Sequence, residues 1–240
     1  MSGDERGMDS DPGTDGDPGT DIDIASLRVA YAGDALDEGD LPGDPMTMFL
    51  RWLTAARDHG LPEPNAMTLA TVDGDGAPSA RTVLLKDVDP RGFSFFSHRT
   101  SRKGQALRAH PQAACVFLWH QLHRQVTIHG DVQELSPSEV AEYFASRPRT
   151  SRLGAWASPQ SSVITSRAEL EAAYATAQRR FADDDIPVPP TWTGWVVRPR
   201  SVEFWQGRPA RLHDRLRFRA RPFPAPLDEA GAWVVERLAP

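Results

Sequence analysis

The stretch Met67-Thr68-Leu69-Ala70-Thr71-Val72-Asp73-Gly74-Asp75-Gly76-Ala77-Pro78-Ser79-Ala80-Arg81-Thr82-Val83-Leu84-Leu85-Lys86 decides the fold class. An apolar, β-branched run over Met67 to Val72 enters a doubled Asp-Gly turn, and a second run over Ala80 to Leu85 leaves it. Asp-Gly supplies the positive-φ positions of a tight hairpin, so the two runs read as paired antiparallel strands. Working outward, similar runs recur over Gly92 to Ser97, Ala113 to Trp119 and Gln125 to Glu134. Further runs follow over Thr193 to Val197, Val202 to Trp205, Leu212 to Phe218 and Trp233 to Leu238. Short strands joined by hairpin-length loops predict a meander closing into a barrel, not βαβ units. Three helices flank it. Asp44-Pro45 caps an amphipathic run ending near Gly60. Ser136 to Glu139 is a capping box whose helix stops before Pro148. Ser166 to Glu169 opens a helix presenting Leu170, Ala173, Ala177 and Phe181. The class is β-rich α+β.

The 240 residues carry a net charge of −6, unevenly distributed. Residues 1–23 hold eight acids and one base, leaving the remainder close to +1. That segment repeats Asp-Pro-Gly-Thr-Asp and has almost no apolar side chains to offset its ordering entropy, so residues 1–24 are expected to be a disordered acidic tail. Residues 25–240 are then one domain. A near-neutral body argues against a nucleic-acid surface. Neither a secretory signal nor an apolar run of ~20 residues is present, so no membrane association and a cytoplasmic location are expected. The single cysteine, Cys115, lies in an apolar strand and reads as a core thiol.

The chemistry is concentrated in Glu203-Phe204-Trp205-Gln206-Gly207-Arg208-Pro209-Ala210-Arg211-Leu212-His213-Asp214-Arg215. On a strand, Arg211, His213 and Arg215 would share one face, which suits water or an anionic ligand beside Trp205. Tyr143 and Arg147, four apart on a helix with Ser151 just beyond, form a set that can hold a phosphate. Arg81 and Lys86 bracket the apolar residues Thr82 to Leu85. Arg102 and Lys103 fall in a first helical turn, a poor place for two bases unless an anion binds there. Gln125, Gln160 and Ser161 carry groups that read the edge of a heterocycle. Glycine-rich nucleotide loops, metal-ligand spacings and nucleophile elbows are absent from the sequence.

In this order, the blocks Arg81 to Lys86, Ser101 to Lys103, Arg124 to Val126, Ser146 to Arg149, Gly154 to Ser161 and Glu203 to Arg215 closely resemble the pyridoxine/pyridoxamine 5'-phosphate oxidase family. The resemblance implies a split β-barrel homodimer with FMN at the subunit interface. It implies oxidation of pyridoxamine or pyridoxine 5'-phosphate to the aldehyde, with O2 as acceptor. It assigns flavin contacts to Arg81, Thr82, Val83, Leu84, Leu85, Lys86, Phe96, Ser97, Arg102, Lys103, Gln125, Gln160, Ser161, Trp205 and Arg215. Lys86, Tyr143, Arg147 and Ser151 would take the substrate phosphate. Arg211 and His213 would act at the substrate ring beside Leu212, and Arg28 and Tyr31 would cover it as a lid. The chain departs from the family at Trp192-Thr193-Gly194-Trp195, where Trp-Gly-Gly-Tyr is common, and at Phe96, where tyrosine is frequent. Two other readings are a flavin oxidoreductase of another substrate on the same barrel and a non-catalytic pyridoxal-phosphate binder.

Overall fold

In the computed structural model the doubled Asp-Gly turn joins two strands, β1 (Ala66–Val72) and β2 (Pro78–Leu84). The Asp73 amide donates to the Ala77 carbonyl (2.8 Å) and the Gly76 amide to the Asp73 carbonyl (2.9 Å), with Gly76 at φ 89°. Residues 23–27, 29–31, 33–182 and 184–240 are described, so the acidic segment 1–22 and Arg28 lie outside the described residues. The chain divides into two units. The described part of the first, which ends at Ala30, is a 3-10 turn over Ile24–Ser26.

The second unit, Tyr31–Pro240, contains all the strands. The remaining strands are β3 (Asp87–Asp89), β4 (Gly92–His98), β5 (Gln112–Trp119), β6 (Arg124–Glu134), β7 (Trp192–Gln206), β8 (Asp214–Ala220) and β9 (Trp233–Arg237). Their order is β2-β1-β5-β6-β7-β4-β3, with β8 added to β7 and β9 to β8, all antiparallel. The sheet is therefore not a simple meander, because β4 and β7 meet across a long sequence interval.

Two expected strands are one. Thr193 to Val197 and Val202 to Trp205 belong to the single 15-residue β7. Proline at 199 lacks an amide and normally interrupts a ladder, but here β6 shifts register between His129 and Gly130 opposite it. A Cβ at Gly130 would lie 2.2 Å from the Arg198 carbonyl oxygen, so glycine is what lets the two backbones close there. The first half of β7 pairs with β4 and the second with β8, which hands the strand from one side of the barrel to the other.

Among the described residues five α-helices flank the sheet: α1 (Pro45–Asp58), α2 (Arg102–Ala109), α3 (Pro137–Ser146), α4 (Arg149–Ala157) and α5 (Arg167–Arg180). Asp44 caps α1, accepting from the Thr47 amide, and Pro45 opens it. The Ser136–Glu139 box closes reciprocally at α3. Helix α4 was not foreseen from the sequence. Pro148 does end α3, but it also sits at the N-cap of a second helix that starts one residue later. The main core fills the barrel. Phe49 of α1 meets Phe93 and Phe117 edge-on with centroids 4.9 and 5.0 Å apart, a favourable quadrupole geometry. A second core, with Phe144, Leu153, Phe181, Ile186 and Trp192, holds α3, α4 and α5 against the outer face of the sheet. Cys115 is fully buried, and desolvation pushes its thiol up to about 12. No helix among the described residues is long and apolar enough to cross a membrane.

Candidate active site

A cleft of about 460 Å³ opens where the end of β2, β4, the start of α2 and the α3–α4 corner converge. It gathers Thr82, Val83, Leu84, Lys86, Phe96, Ser97, Lys103, Tyr143, Arg147, Ser151 and Gln160, all expected from the sequence, and adds His98 and Trp192. The local reasons are clear. Ser101 caps α2 through the Gly104 amide, which places Lys103 in the first turn directly below Ser97. Gly104 itself packs with its Cα against the His98 and Arg99 carbonyls, where a Cβ would lie 2.4–2.6 Å from oxygen. Lys103 Nζ donates to Gln160 Oε1 (3.0 Å) and Ser97 Oγ (3.2 Å), and Ser97 Oγ also donates to Gln160 (2.6 Å).

The electrostatics of this cleft are one-sided. Lys103 is only 8% exposed, and no carboxylate among the described residues lies in ion-pair range of it. Burial, reinforced by the Arg81 charge, pushes its pKa down to about 8. Desolvation likewise lowers Arg147, against the pull of Tyr143, and lowers His98, with the Lys103 and Arg147 charges adding to it. Arg147 Nη1 is buried without a hydrogen-bond partner. The guanidinium stacks instead on Trp192, 5.0 Å from the ring centroid. A buried guanidinium N–H with no acceptor costs free energy that an entering anion would recover.

The aromatic wall of the cleft is a stack. Phe96 lies on Tyr143 (centroids 3.9 Å, 15°) and on Trp192 (5.1 Å, 11°). This explains part of the departure at residues 192–195. A Cβ at Gly194 would lie 2.6 Å from the Phe96 ring and 2.7 Å from Leu135, so glycine is required there. Thr193 is tolerated, fully buried, and its hydroxyl accepts from Arg99 Nη2 at 3.2 Å. Trp195 stacks on Phe95 in the barrel core.

The other expected residues lie elsewhere. Gln125, Trp205 and Arg215 are neighbours across β6, β7 and β8. Trp192 and Trp205 lie near the two ends of the 15-residue β7, a contour of up to roughly 40 Å at ~3.3 Å per residue, and the two halves of the strand pair with different neighbours. None of Gln125, Trp205 and Arg215 lines the cleft of its own chain. Around Trp205 the rings of Tyr31 (5.8 Å) and His213 (4.7 Å) cluster, and Tyr31 also meets His213 (5.5 Å) and His123 (4.7 Å). His213 Nδ1 accepts the Arg208 amide (3.1 Å), so its remaining ring nitrogen is the free one. Burial, then the Arg211 charge, lowers the His213 pKa against the pull of Asp214.

The expected alternation of Arg211, His213 and Arg215 on one strand is not realised. Pro209–Arg211 form a 3-10 turn with Ala210 and Arg211 at φ 54° and 61°, and β8 starts only at Asp214. Proline opens the turn and the two positive-φ residues reverse the chain, so Arg211 and Leu212 project into solvent. Arg215 is not a free cation either. Glu203 holds it bidentately (2.7 and 3.2 Å), and a third donor reaches the Ala239 carbonyl.

Four further candidates are engaged or set back. Arg81 donates to the Leu69 carbonyl, Thr71 and Ser79, and Arg102 pairs with Asp73 at 2.6 Å. Leu85 belongs to the core, while Ser161 is exposed at φ 73°. His98 and Trp192 were not singled out as site residues. The Trp-x-Gly-x pattern marked Trp192 only as a packing position, and nothing local marked His98.

Comparison with known proteins bears on both halves. Residues 53–181 match the pyridoxamine 5'-phosphate oxidase family, and residues 192–240 match the pyridoxine 5'-phosphate oxidase C-terminal dimerisation region. The solved structure of PhzG from Burkholderia lata, in complex with tetrahydrophenazine-1-carboxylic acid, is 31% identical, with a TM-score of 0.77 over 88% of this chain and 100% of its own. A pyridoxamine 5'-phosphate oxidase-related, FMN binding protein from Nostoc punctiforme shares the fold at a TM-score of 0.63 and 17% identity, covering 82% of this chain and 98% of its own. The pyridoxine/pyridoxamine 5'-phosphate oxidase of Salinibacter ruber is 53% identical over 90% of this chain and 99% of its own length. That of a Nocardioides species is 52% identical over 91% and 99%. On these matches, the chain belongs to the pyridoxine/pyridoxamine 5'-phosphate oxidase family.

Proposed function

We propose that this chain is the FMN-dependent oxidase that converts pyridoxamine and pyridoxine 5'-phosphates to pyridoxal 5'-phosphate. FMN is the cofactor of the family, and the donor set suits it: a cationic cleft with a buried, carboxylate-free Lys103 and an unpartnered Arg147 N–H. The observation that carries the substrate is the presence of Lys86, Tyr143, Arg147 and Ser151 together in the lining of that cleft. Cation, phenol, guanidinium and hydroxyl together match a phosphate dianion.

Bound FMN supplies two-electron acceptor chemistry, with O2 as the final acceptor. The amine, water and O2 give aldehyde, ammonia and hydrogen peroxide; the alcohol and O2 give aldehyde and hydrogen peroxide. Lys103, Ser97 and Gln160 hold the cofactor's polar groups, assisted by Thr82 to Leu84 and Phe96; the Arg81 charge acts on Lys103, and Arg102 would reach the cofactor by leaving its pair with Asp73. Lys86, Tyr143, Arg147 and Ser151 anchor the substrate phosphate and so fix where its ring lies. Trp205, Gln125, Arg215, Arg211, Leu212 and His213, together with Tyr31, belong to the dimerisation region or pack on it. They complete the cleft of a second subunit, a reading supported by their absence from the cleft of their own chain and by the match of residues 192–240 to a dimerisation region. Arg211 and His213 then orient the substrate ring and stabilise charge that develops on it.

The structural likeness to PhzG favours one alternative: oxidation of a ring carrying a carboxylate, with Arg147 and Tyr143 on that carboxylate. Absorbance spectra separate the readings. A flavin band that bleaches anaerobically with pyridoxamine 5'-phosphate and returns in air is the expected result. A band that ignores this substrate but bleaches with a reduced phenazine carboxylate would move the assignment, and purified protein without flavin would indicate a binder.

A further inference from the structure

The segment carrying Tyr31 is tied to the C-terminal strand by a connected set of charged contacts that the proposed reaction does not itself use. The Gly33 carbonyl accepts from Arg208 Nη1 (2.9 Å), and a Cβ at Gly33 would lie 2.3 Å from the Gln206 side chain and 2.6 Å from the Gly207 carbonyl oxygen. The Leu36 amide donates to Asp214 Oδ2 (3.1 Å), and the Leu36 side chain is 4% exposed in the main core. Arg237 then clasps the far side. Its Nε and Nη2 donate to the two Glu38 oxygens (both 2.8 Å), Nη2 also reaches Asp37 (3.2 Å) and the Leu36 carbonyl (3.3 Å), and Nη1 binds Asp214 (2.9 Å).

Asp214 is the hub. It takes the Leu36 amide, Arg237 and, at 3.5 Å, Arg208, while its chain neighbour His213 receives the Arg208 amide. Movement of the 33–38 segment would therefore disturb the Tyr31 ring and His213 together. Bidentate pairing fixes direction as well as distance, which suits a positioning role better than a single exposed ion pair.

We infer that the Glu38–Arg237–Asp214 network is a latch that positions Tyr31 over His213 and Trp205, setting substrate affinity without touching substrate. This rests on the oxidase reading above for the identity of the substrate. Exposed ion pairs are individually weak, so each break should have a small and specific effect.

The test uses full-length, FMN-loaded protein and the variants Glu38→Gln, Tyr31→Ala and their combination. In Glu38→Gln, KM for pyridoxamine 5'-phosphate is expected to rise roughly two- to fivefold while kcat stays within about twofold, the signature of lost binding rather than lost chemistry. The combined variant should match Tyr31→Ala alone, because Glu38 acts only through that ring. Near-ultraviolet circular dichroism reads the same contact without turnover: Glu38→Gln should lose part of the Trp205 signal that Tyr31→Ala loses. Additive KM effects, or an aromatic signal unchanged in Glu38→Gln, would overturn the latch. A wild-type protein inactive on this substrate would overturn the oxidase reading alone, with the dichroism still deciding the latch.

Discussion

Lys103 offers the sharpest test of the cleft's electrostatics. Its ammonium is buried beside Ser97 and Gln160 without a counter-charge, and its pKa lies near 8 in place of 10.5. At about 1.4 kcal/mol per pH unit, that gap corresponds to roughly 3 kcal/mol of penalty on the charged folded apoprotein. The sign follows from proton binding. Below pH 8 folded and unfolded chains both hold the proton, and the penalty is fully present. Between 8 and 10.5 the folded chain has released it while the unfolded chain has not, so stability rises with pH. Lys103→Met removes the charge and leaves Ser97 and Gln160 bonded to each other. Urea denaturation of the two apoproteins from pH 7 to 10.5 should show the variant more stable by up to about 3 kcal/mol at pH 7, converging on wild type as pH rises. Comparing the pair cancels the titrating groups that Lys103 does not influence, and His98, which its charge depresses, is held below its ordinary range and so outside this window. FMN should reverse the order, binding more weakly to the variant at pH 7 and losing affinity for wild type above pH 8. A stability difference that does not vary with pH would refute the claim that Lys103 is a desolvated, uncompensated cation.

Two further outcomes are expected. Arg147→Met should lower kcat/KM for the phosphorylated substrate by roughly ten- to a hundredfold, the worth of a charge-assisted bond, mainly through KM. The folded apoprotein should change little in stability, because the stacking lost on Trp192 is offset by release from burying a charge whose Nη1 donor has no partner; steady-state kinetics and thermal melts check both. Gly194→Ala should cost about 1–3 kcal/mol by overpacking, since the new methyl meets Phe96 and Leu135 at 2.6–2.7 Å. The displaced Phe96–Tyr143 stack should also raise KM, whereas an unchanged melting temperature would show the wall to be more yielding than its geometry implies.

Local rules made much of this protein legible from its sequence. Periodicity and turn chemistry marked the β1–β2 hairpin, the Asp44 and Ser136 caps and the core position of Cys115, because each depends on residues only a few positions apart. The resemblance carried by the ordered motif blocks named the cofactor, and the sequence singled out most of the side chains that line the cleft. Tertiary structure decided what depends on distant partners. The sequence reads as two strands over 193–197 and 202–205, yet a register shift at Gly130 on the neighbouring strand accommodates Pro199 and leaves β7 continuous. Arg211, His213 and Arg215 alternate in sequence, but a left-handed turn after Pro209 separates them, and Glu203 across the ladder neutralises Arg215. His98 entered the cleft beside Thr191, 93 residues away in sequence, and Arg237 closed on Glu38 across 199 residues. Short-range patterns fix which elements form; the charge state and company of a side chain are set by whatever the fold brings beside it, and that information is not local.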